Sequence, residues 1–240
     1  MKKNLLTVAA TLAAATLPTI ASAQLAFNAA AVTDYRYRGI SQSRLKPAVS
    51  AGVDYAAGAF YVGAWASTIK WIKDTTGGDG NIELDIYGGY KGEIAKDVGY
   101  DVGVLAYVYP SNGLPTNANT TELYGAVTFG PATLKYSHAV TNTFGNANSK
   151  NSYYLDLSAG FEMAGLTVTP HIGYQKLKNV TDGSYTDYSL TVSKDFSGFV
   201  PSLAVVGTDA SKSFYVPGAN ANSTKFLGKT ALVLGLKYNF

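Results

Sequence analysis

The chain has 240 residues, 47% of them hydrophobic, with 19 Lys and Arg against 16 Asp and Glu, two His and no Cys. Charges this close to balance offer no basic patch for nucleic acid, and a chain without cysteine has no disulfide framework and no thiolate metal site. Tyr (18) and Gly (25) are plentiful while Met is scarce, an aromatic and glycine-rich balance that suits long strands and tight turns better than helices.

Lys2 and Lys3 precede an apolar run from Leu5 to Ile20, broken by Thr residues and Pro18, and Ala21-Ser22-Ala23 follows as a small-residue cleavage site. This is the pattern of a secretory signal peptide over residues 1–23, with Gln24 expected as the mature N-terminus. The run is short for a membrane-spanning helix, and no other segment approaches about 18 consecutive apolar residues. Without Lys2 and Lys3, 17 of the 19 basic side chains remain against 16 acidic ones. An exported chain without disulfides must be held by a large core or by complete backbone pairing.

From residue 25 onward the period is two. Strands are predicted at 25–39, 46–56, 59–71, 81–92, 97–109, 120–129, 132–141, 152–163, 165–177, 185–195, 199–209 and 229–240. Most run to about 10–13 residues, the length a tilted strand needs to cross a bilayer, against roughly 5–6 in soluble sheets. The connections alternate. Ala57-Gly58, Glu93 to Lys96, Gly130-Pro131, Ala164-Gly165 and Ser197-Gly198 are short, whereas 40–45, 72–80, 110–119, 142–151, 178–184 and 210–228 are longer. An even strand count with short turns on one side and long loops on the other predicts an all-β chain, a single transmembrane up-and-down antiparallel β-barrel of about 12 strands over residues 24–240. No connection is long enough to suggest a separate plug domain.

Alternation alone does not say whether the apolar face is a core or meets lipid. Twelve long strands enclose more space than side chains fill as a dry core, and one face of most strands lacks charge while the other collects it. On strand 1, Phe27, Ala29, Ala31, Thr33, Tyr35 and Tyr37 oppose Asn28, Asp34, Arg36 and Arg38. On strand 4, Ile82, Leu84, Ile86 and Tyr90 oppose Glu83, Asp85 and Lys91, and on strand 8, Tyr153, Leu155, Leu157 and Phe161 oppose Asp156 and Glu162. A basic side chain at mid-bilayer costs about 2–4 kcal/mol, and an acidic one less, so the charged faces are expected in the lumen. Trp65, Trp71, Tyr109, Tyr153 and Tyr188 near strand ends are expected in interfacial girdles. At the C-terminus Leu232, Leu234, Leu236, Tyr238 and Phe240 alternate with Val233, Gly235, Lys237 and Asn239. This resembles the last strand of outer-membrane barrels, whose aromatic end is the signal for the barrel-assembly machinery, an expected partner.

Catalytic motifs are missing: no HExxH, P-loop or GxSxG occurs after residue 23, and the two histidines, His138 and His171, exclude a His-rich metal site. No cofactor or metal is expected. His171 falls on the predicted lumen face, the only plausible base were the barrel a hydrolase, and His138 falls at an interface. The sharper cluster is Asp34, Arg36 and Arg38 in one row toward the outer half of strand 1, with Glu83 and Asp85 also in an outer half, on strand 4. Opposed arginines and carboxylates set the transverse field of a pore, so these five residues are the candidate pore lining. Asp54, Asp101, Glu122, Lys135, Asp156, Glu162, Asp187 and Lys237 are further lumen candidates.

The segments Asp34-Tyr35-Arg36-Tyr37-Arg38-Gly39-Ile40-Ser41-Gln42-Ser43, Lys46-Pro47-Ala48, Tyr61-Val62-Gly63-Ala64-Trp65-Ala66-Ser67 and Glu83-Leu84-Asp85-Ile86-Tyr87-Gly88-Gly89-Tyr90 are similar to the TorF-type porin family, also described as the Gcw_chp family. The resemblance implies a Gram-negative outer-membrane protein, surrounded by outer-membrane lipid and forming a pore for small solutes or ions, and it supplies no catalytic residue. The readings left to weigh are a passive channel, a closed structural or adhesive barrel with inward Tyr107 and Tyr124 filling the bore, and an outer-membrane hydrolase.

Overall fold

The computed structural model describes residues 23–240; the expected signal peptide lies outside them apart from Ala23. The wall consists of β1 (Gln24–Val32), β2 (Ala48–Ala57), β3 (Phe60–Thr68), β4 (Ile82–Ala95), β5 (Val98–Val108), β6 (Thr120–Phe129), β7 (Ala132–Ala139), β8 (Tyr153–Ala159, resumed at Phe161–Met163), β9 (Leu166–Lys176), β10 (Tyr185–Ser193), β11 (Phe199–Thr208) and β12 (Ala231–Asn239). Both parts of β8 pair with β9, so the thirteen hydrogen-bonded segments make a twelve-stranded barrel. Each strand is antiparallel to its sequence neighbours, and β1 closes the barrel on β12 from Asn28↔Asn239 to Val32↔Gly235. Closure leaves no strand edge exposed to hydrocarbon, which has no water to satisfy one.

The five short turns lie at the end that carries Gln24 and Asn239. Ala164 and Gly165 (φ 51° and 75°), like Ser197 and Gly198 (57° and 99°), are the paired positive-φ residues of tight hairpin turns. The longer loops lie at the opposite, outer end. One of them carries the short helix α1 (Trp71–Asp74).

The side chains are arranged inside out. Leu25, Val49, Val62, Ile86, Leu123, Leu134, Leu155, Leu190 and Leu234 stand exposed around the outside, while Glu83, Glu122, Asp156 and Asp187 are buried inside. The expected polarity of the faces is therefore the observed one. The aromatic girdle is only partly as predicted. Tyr153 meets Tyr136 and Tyr174, with ring centroids 5.6 and 6.3 Å apart, and Tyr188 is exposed on the same outward face. Phe27, Phe240 and Tyr238 stack at the other rim. Trp65, Trp71 and Tyr109, by contrast, pack inside the outer end of the barrel with Tyr35, Ile69 and Ile72. Trp65 falls on the lumen face between Ala64 and Ala66, and the loop residues beyond β3 and β5 turn inward, where strand parity no longer governs direction.

Four inward tyrosines each require a glycine in the wall beside them. Tyr61 pairs with Gly89, Tyr87 with Gly63 and Tyr124 with Gly103, while Tyr154 lies diagonal to Gly173, and in each case a Cβ on the glycine would run into the tyrosine ring. The rings lie flat across neighbouring strands and brace the lumen wall. At Gly103 an added methyl would also meet Gly88 O at 2.5 Å, whereas at Gly125 the nearest atom is a Val102 methyl at 3.9 Å. Overpacking of this kind costs about 1–3 kcal/mol. Gly103→Ala is expected to lower the unfolding free energy of the barrel in vesicles, read from urea titration, by that amount, and Gly125→Ala to leave it unchanged.

Candidate functional site

Strand 1 is shorter than its alternation suggests. Its predicted span of 25–39 exceeds what crossing a bilayer needs, and the chain leaves the wall after Val32. Residues 33–47 fold into the barrel around a small hairpin, Arg36–Tyr37 against Ile40–Ser41. At its tip Arg38 (φ 46°) and Gly39 (φ 77°) form the two positive-φ positions of a type I′ turn. Gly39 has no room for a side chain, because a Cβ there would collide with Asp187 and Thr208 on β10 and β11. The bore is thus filled from its own first loop. Tyr35 and Tyr37, expected toward lipid, are instead inside: beyond Thr33, alternation describes the faces of the hairpin and not those of the barrel.

Two ion pairs hold the hairpin. Asp34 accepts from Arg36 Nε at 2.5 Å and from Ser41 Oγ at 2.6 Å, with Ser43 Oγ at 3.3 Å. Arg36 Nη1 also donates to the carbonyls of Gly39, Leu227 and Lys229, tying the hairpin to the loop before β12. Arg38 reaches across the bore. Its Nη2 donates to Glu122 Oε2 on β6 at 2.7 Å and its Nη1 to Gln175 Oε1 on β9 at 2.6 Å, while the guanidinium stacks 4.3 Å from the Tyr154 ring centroid on β8. These contacts offset the strain of an arginine in the left-handed region.

Glu83 and Asp85 share the outer level with the hairpin, as expected, but not by pairing with the arginines. Tyr35 Oη donates to Glu83 Oε1 at 2.6 Å, and Asp85 has one buried carboxylate oxygen without a hydrogen-bond partner. Of the five predicted residues, Asp34 and Arg36 form an internal brace of the hairpin, Arg38 makes the cross-bore contact, and Glu83 is reached by the hairpin through Tyr35. Sequence reasoning placed Glu122 and Asp187 in the lumen without ranking their levels. It missed Tyr35 and Tyr37, for which the excess length of strand 1 was the available signal, and Tyr154, which shares the strand face of Asp156.

His171 lies beside the constriction on β9. Its Nε2 is 2.6 Å from Asp156 Oδ2 and its Nδ1 is 3.7 Å from Asp187 Oδ1, while Tyr154 Oη donates to Asp187 Oδ2 at 2.9 Å. Ser158 and Ser189 flank it in register, yet among the described residues no serine hydroxyl hydrogen-bonds to the ring. Toward the inner end, Tyr61 Oη donates to Asp101 at 2.6 Å and meets Tyr124 Oη, and Lys91 and Lys135 lie over the rings of Tyr61 and Tyr124. Among the described residues no cluster of His, Asp and Glu has the arrangement of a metal site.

The energetic centre is the Arg38–Glu122 pair, whose side chains are only 6% and 2% exposed. Removing one partner of a buried pair leaves an uncompensated charge and costs about 3–5 kcal/mol, whereas replacing both with apolar groups of similar volume is often neutral. Arg38→Ala is expected to destabilise the refolded barrel by that amount in urea titration. The double replacement Arg38→Met with Glu122→Leu is expected to recover most of the loss.

The fold has relatives among solved structures. The KdgM porin, solved in complex with disordered oligogalacturonate, superposes with a TM-score of 0.57 at 9% identity, over 91% of this chain and 99% of that one. OprD from Pseudomonas aeruginosa (TM-score 0.37, 13% identity, 90% of this chain and 65% of that one) and outer membrane phospholipase A from Escherichia coli (0.45, 12%, 90% and 94%) are looser likenesses. No curated protein matches the sequence. A closed twelve-stranded barrel with an apolar outside and buried charge inside, the fold it shares with the KdgM porin, belongs in the outer membrane of a Gram-negative bacterium. Residues 17–240 match the family described as "Bacterial protein of unknown function (Gcw_chp)", and the chain belongs to that family.

Proposed function

We propose that the mature chain is a porin-like channel for passive diffusion of small hydrophilic solutes or ions, constricted by the 33–47 hairpin, and not an enzyme. The observation that carries this reading is the charged lumen: the hairpin brings Asp34, Arg36 and Arg38 into a bore whose wall carries Glu83, Asp85 and Glu122, in a barrel too wide to be closed by strand side chains alone. The TorF-type resemblance of the same segments supports it, as does the porin fold. After Asp34 pairs with Arg36 and Glu122 with Arg38, the four carboxylates of Glu83, Asp85, Asp156 and Asp187 outnumber the two basic groups beside them, His171 and Lys135, the latter opposite Asp156 in register. Such a constriction favours cations. With both ring nitrogens toward carboxylates, His171 is a poor base for a serine, which argues against a hydrolase. Export by the residue 1–23 signal peptide and recognition of the strand ending at Phe240 by the barrel-assembly machinery complete the proposal.

The burial of Arg38 and Glu122, with Tyr107 packed against Tyr37, favours one second reading, an occluded structural barrel that acts through its outer loops. Single-channel recording of the refolded chain in a planar bilayer under a salt gradient separates the two. The channel reading expects discrete steps and a cation-selective reversal potential. Arg38→Ala should enlarge the steps, and Glu83→Gln with Asp85→Asn should reduce the cation preference. A folded barrel that stays silent, and conducts only when Ser-Gly replaces residues 35–41, would establish the occluded one.

A further inference from the structure

Two neighbouring strands of the wall stop short at the same place. β1 ends at Val32 and β2 begins at Ala48, because the chain between them has turned into the bore. The flanking strands continue outward. Ala231 to Leu234 of β12 pair only with β11, and Thr68 of β3 pairs with Ile82 of β4. Polar groups left unpaired at membrane depth must be satisfied locally, and two threonines do this. Thr33 N–H donates to Leu234 O at 2.9 Å, Leu234 N–H donates to Thr33 Oγ1 at 3.0 Å, and Val49 N–H donates to Thr68 Oγ1 at 3.2 Å.

What remains is a notch in the lipid-facing side of the wall, a groove of about 450 Å³ lined by Ala31, Val32, Pro47, Val49, Leu234 and Leu236 among others. That volume lies within the roughly 300–1,000 Å³ of ligand clefts. Ala31 stands in register between Val49 and Leu236 and is too small to fill the space between them. One residue beyond Pro47 the chemistry changes. Lys46 and Lys225, with Arg44, line a recess at the outer rim. Arg44 is taken by Asp74, to which its Nε donates at 2.7 Å. Lys46 and Lys225 are exposed, and among the described residues neither has a carboxylate within ion-pair distance.

We propose that this notch seats an acyl chain of a phosphorylated lipid of the outer leaflet, with the lipid phosphate held by Lys46 and Lys225. An apolar trough opening to hydrocarbon takes an acyl chain, and free ammonium groups at its outer end take an anionic headgroup, as basic pockets at the edge of a bilayer do. A soluble phosphate has no use for the trough, and a neutral lipid has none for the lysines. The bound lipid completes the wall where β1 and β2 leave it. The inference rests on the outer-membrane location and stands whether the bore conducts or not.

Native mass spectrometry of the purified barrel in neutral detergent, titrated with bisphosphorylated lipid A and with its dephosphorylated form, tests it. One lipid A per barrel is expected, held at least about tenfold more tightly than the dephosphorylated lipid. The pair Lys46→Glu and Lys225→Glu should remove that preference. Ala31→Trp, or Val49→Trp if the first does not refold, should fill the notch and abolish one-to-one binding while the barrel keeps its heat-modifiable migration. Equal binding of both lipids, or lysine reversals without effect, would overturn the phosphate assignment. Undiminished binding by a refolded tryptophan variant would overturn the groove.

Discussion

In hydrocarbon no water is available to a backbone N–H or C=O, and an unpaired group costs several kcal/mol. That constraint governs the molecule. It is met by a closed ring of antiparallel strands in which β1 completes its ladder on β12, and it makes the period of two the dominant feature of the chain. It also explains what happens where the ring is incomplete. At the ends of β1 and β2 the hydroxyls of Thr33 and Thr68 stand in for missing strand partners, so the first loop can leave the wall without exposing its backbone to lipid.

Closing twelve strands creates a second problem, the space inside. The lumen is filled by two kinds of group. Tyrosines lie across glycines on neighbouring strands, so that Tyr61, Tyr87, Tyr124 and Tyr154 occupy area that a Cβ would deny them. Above them the hairpin brings Arg38 across the bore to Glu122 and Gln175. Charges this deeply buried are tolerated only when paired and hydrogen-bonded. Glu83, Asp156 and Asp187 are held by hydrogen bonds to Tyr35, His171 and Tyr154, and in the proposed channel they and Asp85 are the carboxylates that a passing cation would meet.

The same inward turn has opposite consequences on the two sides of the wall. Inside, residues 33–47 make the constriction. Outside, their departure leaves the apolar notch beside Ala31 and the lysines above it. One segment thus links the proposed selectivity of the bore to the proposed lipid contact.

The sequence by itself determined the class of fold, the strand number, the alternation of short turns and long loops, and which face of most strands meets lipid. Each of these follows from local pattern: side chains alternate at every residue, and charge is costly in hydrocarbon. It also marked Asp34, Arg36, Arg38, Glu83 and Asp85 as inward residues in the outer half of their strands. Only the tertiary structure decided that Tyr35 and Tyr37 face the bore, that Trp65, Trp71 and Tyr109 form an inner core instead of a girdle, and that Arg38 answers Glu122 and not Glu83 or Asp85. Alternation holds only while a segment remains in the wall. Where the chain turns inward, partners are chosen by barrel stagger and by contacts between residues as far apart as Arg38 and Gln175, and no local period encodes that distance.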